Sequence, residues 1–220
     1  MTLYERTSKD IDGGLVGYWK FDDLKLSGAS SIIDFKNFND GTINGDPLAQ
    51  ANHRGTSDEA VFFDGNGDYM SLSNPTALKL GDTPTTIAFW AKLFNTQDGY
   101  IYSSRDGSLG ELSLLVSSGT LFAYIGTTAT DSTSNSNVVD ATWTHYAIVY
   151  DKENSEVRYY VDGLLNKTGT TISSFDTSVN KAMMARADGT EDLRSSLGPF
   201  RIYNRALSHG EISKLHRFKK

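Results

Sequence analysis

Short runs of strict two-residue alternation recur along this chain, and they constrain its fold more than any other feature. From Leu15 to Phe21, Leu15, Gly17, Trp19 and Phe21 fall on one side and Val16, Tyr18 and Lys20 on the other. Thr86 to Phe94 alternates likewise, with Ile87, Phe89, Ala91 and Leu93 sharing a face. Leu121 to Ile125, Thr144 to Tyr150, Val157 to Val161 and Phe200 to Tyr203 keep the same period. A period of two belongs to a pleated strand with one buried face. The runs are rich in Val, Ile, Tyr, Phe and Trp, which suit that surface.

Turn chemistry separates the runs. The chain has 20 glycines and only 4 prolines, and the glycines fall between apolar stretches. Ser117-Ser118-Gly119 and Asp151 to Ser155 each divide two strand signals, and Asp162-Gly163 has the composition of a type I′ hairpin turn. Consecutive hairpins imply antiparallel sheets, and two such sheets must pack face to face to hide their apolar sides. A chain of 220 residues suits one large sandwich. One helix is expected near the end. Ser208 and Glu211 have capping-box spacing, and Ile212 and Leu215 form a short apolar stripe. It reads as an exposed C-terminal turn resting on the sandwich. Thr127 to Asp140 is rich in Ser, Thr and Asn without an aromatic, and reads as a long loop. The expected organisation is a polar extension over 1–13, one domain over 14–216 and a basic tail over 217–220.

Composition narrows the function classes. A net charge of −6 disfavours general nucleic-acid binding, which needs clustered Lys and Arg. The tail Arg217-Phe218-Lys219-Lys220 is too short to change that. There is no cysteine, so disulfides and thiolate metal sites are excluded. No apolar run approaches transmembrane length, so no membrane insertion is expected, and Met1 to Gly14 is too polar for a signal peptide.

Seven segments taken together resemble the LamG-like jelly-roll family of the concanavalin A-like lectin/glucanase superfamily. They are Gly14-Leu15-Val16-Gly17-Tyr18-Trp19-Lys20-Phe21-Asp22; Asn39-Asp40-Gly41-Thr42, with Asp40 where the family usually has His; Phe62-Phe63-Asp64-Gly65 with Asp68-Tyr69; Ile87-Ala88-Phe89-Trp90; Trp143 to Asp151; Tyr160-Val161-Asp162-Gly163; and Arg201-Ile202-Tyr203-Asn204-Arg205-Ala206-Leu207-Ser208. The resemblance implies an all-β, two-sheet antiparallel jelly-roll sandwich with a short C-terminal helix. It also implies a role in binding glycans or other surface ligands, on an extracellular or virion surface. Fold alone does not fix function, so that step is analogy.

Catalytic signals are missing. A hydrolase on this fold needs paired carboxylates on neighbouring inward positions. The Glu-x-Asp-x-x-Glu segment of laminarinase-type relatives does not occur, and Glu111, Glu153, Glu156, Glu191 and Glu211 are isolated or near turns. His53, His145, His209 and His216 lack metal-pair spacing. The expected chain is therefore not an enzyme. The family likeness implies one cofactor, a structural Ca2+ held by Asp22 and Asp64. The alternative is that Asp64 and Asp68 simply support a tight glycine turn. Trp19, Trp90 and Trp143 read as core. Ligand contacts are expected instead from Tyr100 and Tyr102, taken to share a strand face, from Arg105 and Asp106 at its end, from Tyr124 beside Phe122, and from Arg186 and Asp188 in a loop. Arg and Asp there would make charge-assisted hydrogen bonds to hydroxyls or sugar carboxylates. Asn166-Lys167-Thr168 is a glycosylation sequon that matters only on a secreted eukaryotic chain.

The leading expectation is a non-catalytic module recognising a glycan or a surface protein. A structural or assembly protein, as a homo-oligomer or in a virion, is second. A glycoside hydrolase or polysaccharide lyase is third.

Overall fold

The computed structural model describes residues 11–22, 30–36, 39–72, 78, 83–94, 98–104, 112–125, 128–129, 138, 140–170, 181–185 and 189–217. In chain order the strands are β1 (Leu15–Trp19), β2 (Ser31–Ile32), β3 (Gly41–Asn44), β4 (Leu48–Gln50), β5 (Ala60–Phe63), β6 (Tyr69–Leu72), β7 (Thr85–Leu93) and β8 (Gly99–Ser103). They continue with β9 (Leu112–Ser117), β10 (Thr120–Ile125), β11 (Thr128–Ala129), β12 (Trp143–Asp151), β13 (Glu156–Val161), β14 (Leu164–Thr170), β15 (Lys181–Met183) and β16 (Ser195–Tyr203). The helix α1 spans His209–Arg217. The fold is thus the expected antiparallel sandwich with one short C-terminal helix. No helix among the described residues is long and apolar enough to cross a membrane.

The first sheet has the order β14-β13-β12-β7-β16-β5-β4, with β1 also paired to β16; the second runs β11-β10-β9-β8-β15-β6-β3-β2. Every pairing is antiparallel, and the hairpins read from the sequence are present. Asp162 and Gly163 have φ of 48° and 77°, and Ser118 and Gly119 have 49° and 75°. Both pairs meet the type I′ requirement for two left-handed residues. The main core lies between the sheets and takes the alternate residues Ile87, Phe89, Ala91 and Leu93 of β7, with Trp19, Phe200 and Ile202. Phe89 stacks on Phe200 at 5.3 Å between ring centres.

A second core lies on the outer face of the first sheet. Ile212 and Leu215 of α1 close over Ala88, Ala147, Val149, Tyr160 and Tyr203, joined by Ile11 and Leu15. The helix therefore seals apolar surface and is not merely an exposed turn. The capping box forms as the sequence predicts: the Ser208 amide donates to Glu211 Oε2 at 2.8 Å, and the Glu211 amide to Ser208 Oγ at 3.4 Å. Arg205 adds a two-pronged grip on Glu211, at 2.6 and 3.1 Å. That hydrogen bonding holds the Glu211 carboxyl down at about 2. Ile11 is 3% exposed, so chain before residue 14 contributes to this core.

The ladders carry four register shifts, and those in β1, β8 and β16 bear on the faces that simple alternation assigns. In β1, Leu15 pairs with Tyr203 and Gly17 with Ile202, so Val16 is the extra residue and Leu15 joins the outer core instead of sharing a face with Trp19. In β8, Tyr100 pairs with Leu115 and Tyr102 with Leu114, so the two tyrosines do not share a face. In β16, Gly198 and Pro199 are spread against the single residue Trp90 between Leu197–Ala91 and Phe200–Phe89. Proline, with no N–H, is tolerated where the ladder is interrupted.

Two signature motifs have structural causes. In the Asn39–Thr42 segment, Asn39 receives the Trp19 indole N–H on its carbonyl at 3.0 Å and donates to Val16 O and Asp34 Oδ2. Asp40, at the unusual position, accepts the Asp34 amide at 2.8 Å. A Cβ at Gly41 would lie 2.3 Å from Met70 Sδ, so any side chain there displaces Met70 in the core. In the second motif, buried Asp68 accepts the amides of Asp46 and Asp64 and holds the turn, although burial pushes its own carboxyl up.

Candidate functional site

The outer face of the first sheet divides into a helix-covered half and an open half. The open half carries a cleft of about 230 Å³ lined by Tyr18, Lys20, Asp22, Arg54, Glu59 and Pro199. Three separate stretches of chain meet there. Tyr18 belongs to β1 on its outward side, and Lys20 and Asp22 follow the strand. Arg54 and Glu59 lie on the connection from β4 to β5, and Pro199 occupies the β16 bulge.

Each wall is built from identifiable contacts. The Tyr18 amide donates to Asp34 Oδ1 at 2.8 Å, and Lys36 N donates to the same oxygen at 3.0 Å. The Arg201 guanidinium lies 4.0 Å over the Tyr18 ring, and Phe35 meets that ring edge-on at 5.8 Å. The Lys20 ammonium sits 4.0 Å from the centre of the Phe35 ring. Phe35 is 60% exposed and Ile33 50%, so the rim beside Lys20 is apolar and open. On the opposite wall Asn52 organises its loop. Its Oδ1 accepts the amides of Arg54 and Thr56, and its Nδ2 donates to Glu59 Oε2 at 2.8 Å. Arg54 bonds to the same Glu59 oxygen at 3.1 Å. Between Lys20 and Asp22, Phe21 is fully buried with φ of 60°. A bulky residue in the left-handed region carries strain of about 1–3 kcal/mol, and such strain clusters at functional sites.

Beside the cleft, His53 stacks flat on Trp90, with ring centres 4.0 Å apart and planes 7° apart. His145, cross-strand from Trp90, and His216 of α1 complete the cluster at 5.3 and 5.6 Å from the indole. Burial, then the charges of Arg54, Arg201 and His216, hold His53 down at about 4. Burial, then His216, Arg201 and His53, hold His145 at about 3. Neither Nδ1 has a hydrogen-bond partner among the described residues, so nothing there favours a second proton. This cluster docks the Asn52–Glu59 wall onto the sheet. Among the described residues no three His, Asp or Glu side chains come together to hold a metal.

The sequence expectations meet this geometry unevenly. Trp19 is buried in the main core, but Trp90 and Trp143 are half-buried on the outer face and not in that core. Gly198 leaves room for them, since a Cβ there would lie 3.2 Å from Trp90 and 3.5 Å from Trp143. Tyr100 and Tyr102 are 4% and 1% exposed, and β8 is covered along its whole length, which leaves neither ring a surface for a ligand. Tyr124 is half-buried, beside Phe122 on the outer face of the second sheet, across the sandwich from the cleft. Arg105, Asp106, Arg186 and Asp188 lie outside the described residues. Of the calcium pair, Asp22 lines the cleft and Asp64 accepts the Asn66 amide at 2.8 Å in the turn between β5 and β6. For Tyr18 and Lys20 the outward side of the first alternating run was a usable signal. Arg54, Glu59 and the three clustered histidines had none, because the residues they meet across the cleft and around Trp90 are distant in the chain.

Several solved structures share this fold. The binding domain of botulinum neurotoxin DC in complex with SialylT aligns with a TM-score of 0.73 at 11% identity, covering 94% of this chain and 52% of that one. The binding domain of botulinum neurotoxin serotype D aligns at 0.72 and 10% identity, covering 94% and 52%. The receptor binding domain of the C/D mosaic serotype aligns at 0.71 and 10%, covering 93% and 51%. This chain spans about half the length of those structures, and at such identity the likeness is one of fold. No curated protein matches it in sequence. The family model of the third laminin G type, described as the concanavalin A-like lectin/glucanases superfamily, matches residues 64–213, and the chain belongs to that family.

Proposed function

We propose that this chain is a non-catalytic binding module that recognises carbohydrate or another surface ligand, with the Tyr18–Pro199 cleft as its site. The carrying observation is the cleft itself: a recess open to solvent, lined by four charged side chains with an aromatic rim. Polar groups at fixed positions in a mostly pre-formed recess are the usual makings of a small-ligand site. The family and the binding-domain neighbours support a binding role. Action at an extracellular surface accords with it.

Glu59 and Asp22 share the cleft, and the engagement of Glu59 speaks against its serving as one half of an acid–base couple. Glu59 Oε2 is engaged by both Asn52 and Arg54, which makes it a brace for the wall. A general acid must be free to protonate a leaving group.

The test is binding to an array of immobilised polysaccharides and cell-surface glycans, with reducing-sugar release assayed in parallel. Specific binding without turnover, lost on Lys20→Ala with Arg54→Ala, is expected. Turnover would overturn the non-catalytic role. Retention in that double variant with loss in Tyr124→Ala would move the site to the other sheet.

A further inference from the structure

The cleft contains a donor and an acceptor that do not satisfy each other. Among the described residues Lys20 has no carboxylate partner, only the rings of Phe35 and Tyr18. Asp22 likewise has no hydrogen-bond or ion-pair partner among them. Both line the same recess two residues apart. Opposite charges on one strand end would ordinarily close on each other, but here the turn at Phe21 (φ 60°) lies between them. Glu59, by contrast, is spent on Arg54 and Asn52.

An ammonium and a carboxylate with no ionic partner among the described residues, lining one small recess, select for a ligand whose neighbouring atoms both donate and accept. Adjacent hydroxyls do so: each offers a proton to a carboxylate and lone pairs to an ammonium or guanidinium. The lining charges also balance, with Lys20 and Arg54 against Asp22 and Glu59. A lining whose charges cancel gives an anionic sugar no net attraction, so the recess favours an uncharged ligand. About 230 Å³ lies below the range that encloses a drug-sized molecule, so the recess suits the end of a chain. The next unit would lie over the 60%-exposed ring of Phe35, against which the C–H face of a sugar can pack.

From this we propose that the cleft takes the terminal vicinal diol of a neutral saccharide, that Lys20 and Asp22 are its specificity pair, and that Phe35 carries the second unit. This rests on the binding-module reading above and deepens it.

The experiment compares the full chain with Asp22→Asn, Lys20→Met and Phe35→Ala on an array holding neutral, sialylated, sulfated and uronate-bearing oligosaccharides. Hits are titrated by calorimetry, and free amino acids serve as zwitterionic competitors. Neutral oligosaccharides should bind and acidic ones should not. Asp22→Asn and Lys20→Met should each weaken neutral binding tenfold or more, while thermal melting confirms the fold. Phe35→Ala should weaken disaccharides and longer chains but leave monosaccharide binding within twofold. Preferential binding of acidic glycans, strengthened by Asp22→Asn, would overturn this proposal and leave the binding-module reading standing. Competition by amino acids, or no glycan bound at all, would likewise overturn this proposal, whereas turnover of a bound glycan would overturn the non-catalytic reading as well.

Discussion

His145 should make this protein sensitive to acid in a way that one substitution can isolate. The side chain is 1% exposed, with Trp90 and His216 against it and Arg201 and His53 nearby. Its pKa falls from 6.5 to about 3 on folding, with burial as the largest cause. The unfolded chain therefore binds more protons than the folded one between these values, and stability falls as pH drops below 6.5. The loss is complete only below about 3. Lowering the pH from 7 to 4.5 should remove about 2–3 kcal/mol through this group alone, with a slope near one proton, about 1.4 kcal/mol per pH unit. His145→Phe keeps a ring against Trp90 and removes the titration. Urea unfolding of both proteins at several pH values between 7 and 4.5 gives the two slopes. They should differ by close to one proton. Carboxylates and the remaining histidines titrate in both proteins and largely cancel in that difference. Equal slopes would refute the reasoning, because they would mean that His145 is readily protonated within the fold.

Glu211→Gln breaks a charge-assisted grip from Arg205 and part of the helix cap. It should lower stability by about 1–3 kcal/mol near neutral pH, read by thermal melting. The Glu211 pKa is lowered from 4.5 to about 2, so its contribution is present above 4.5 and fades as pH falls through 2; the variant's deficit should shrink in the same window. Gly41→Ala sets a Cβ 2.3 Å from Met70 Sδ in a closed core and should cost about 1–3 kcal/mol, and the double variant with Met70→Ala should cost less than the sum of the two singles. Asp34→Asn puts an amide N–H₂ among the donors Tyr18 N, Lys36 N and Asn39 Nδ2. It should destabilise the fold by about 1–3 kcal/mol and weaken cleft binding with it, read by denaturant melts and glycan titration.

Much of the architecture was legible in local pattern. Period two in Thr86–Phe94 placed Ile87, Phe89, Ala91 and Leu93 inward, and Asp162-Gly163 marked its turn, because both depend on backbone sterics within a few residues. The Ser208–Glu211 cap was equally local. The site was much less legible. A single extra residue in a ladder reverses the sides of what precedes it, as Leu15, Tyr100 and Tyr102 illustrate, and periodicity has no term for where a bulge falls. Trp90 was misassigned to the core for a related reason: alternation distinguishes two faces, but only packing determines which parts of the outer face are covered by α1 and which stay open.

By itself, then, the sequence determined strands, turns, a capped helix and two antiparallel layers, since these follow from short-range sterics and the burial of alternating apolar residues. The tertiary structure alone decided that Lys20 and Asp22 face Arg54, Glu59 and Pro199, and that three histidines gather around one tryptophan. Those neighbours are brought together by sheet order and bulges, contacts that no local spacing encodes.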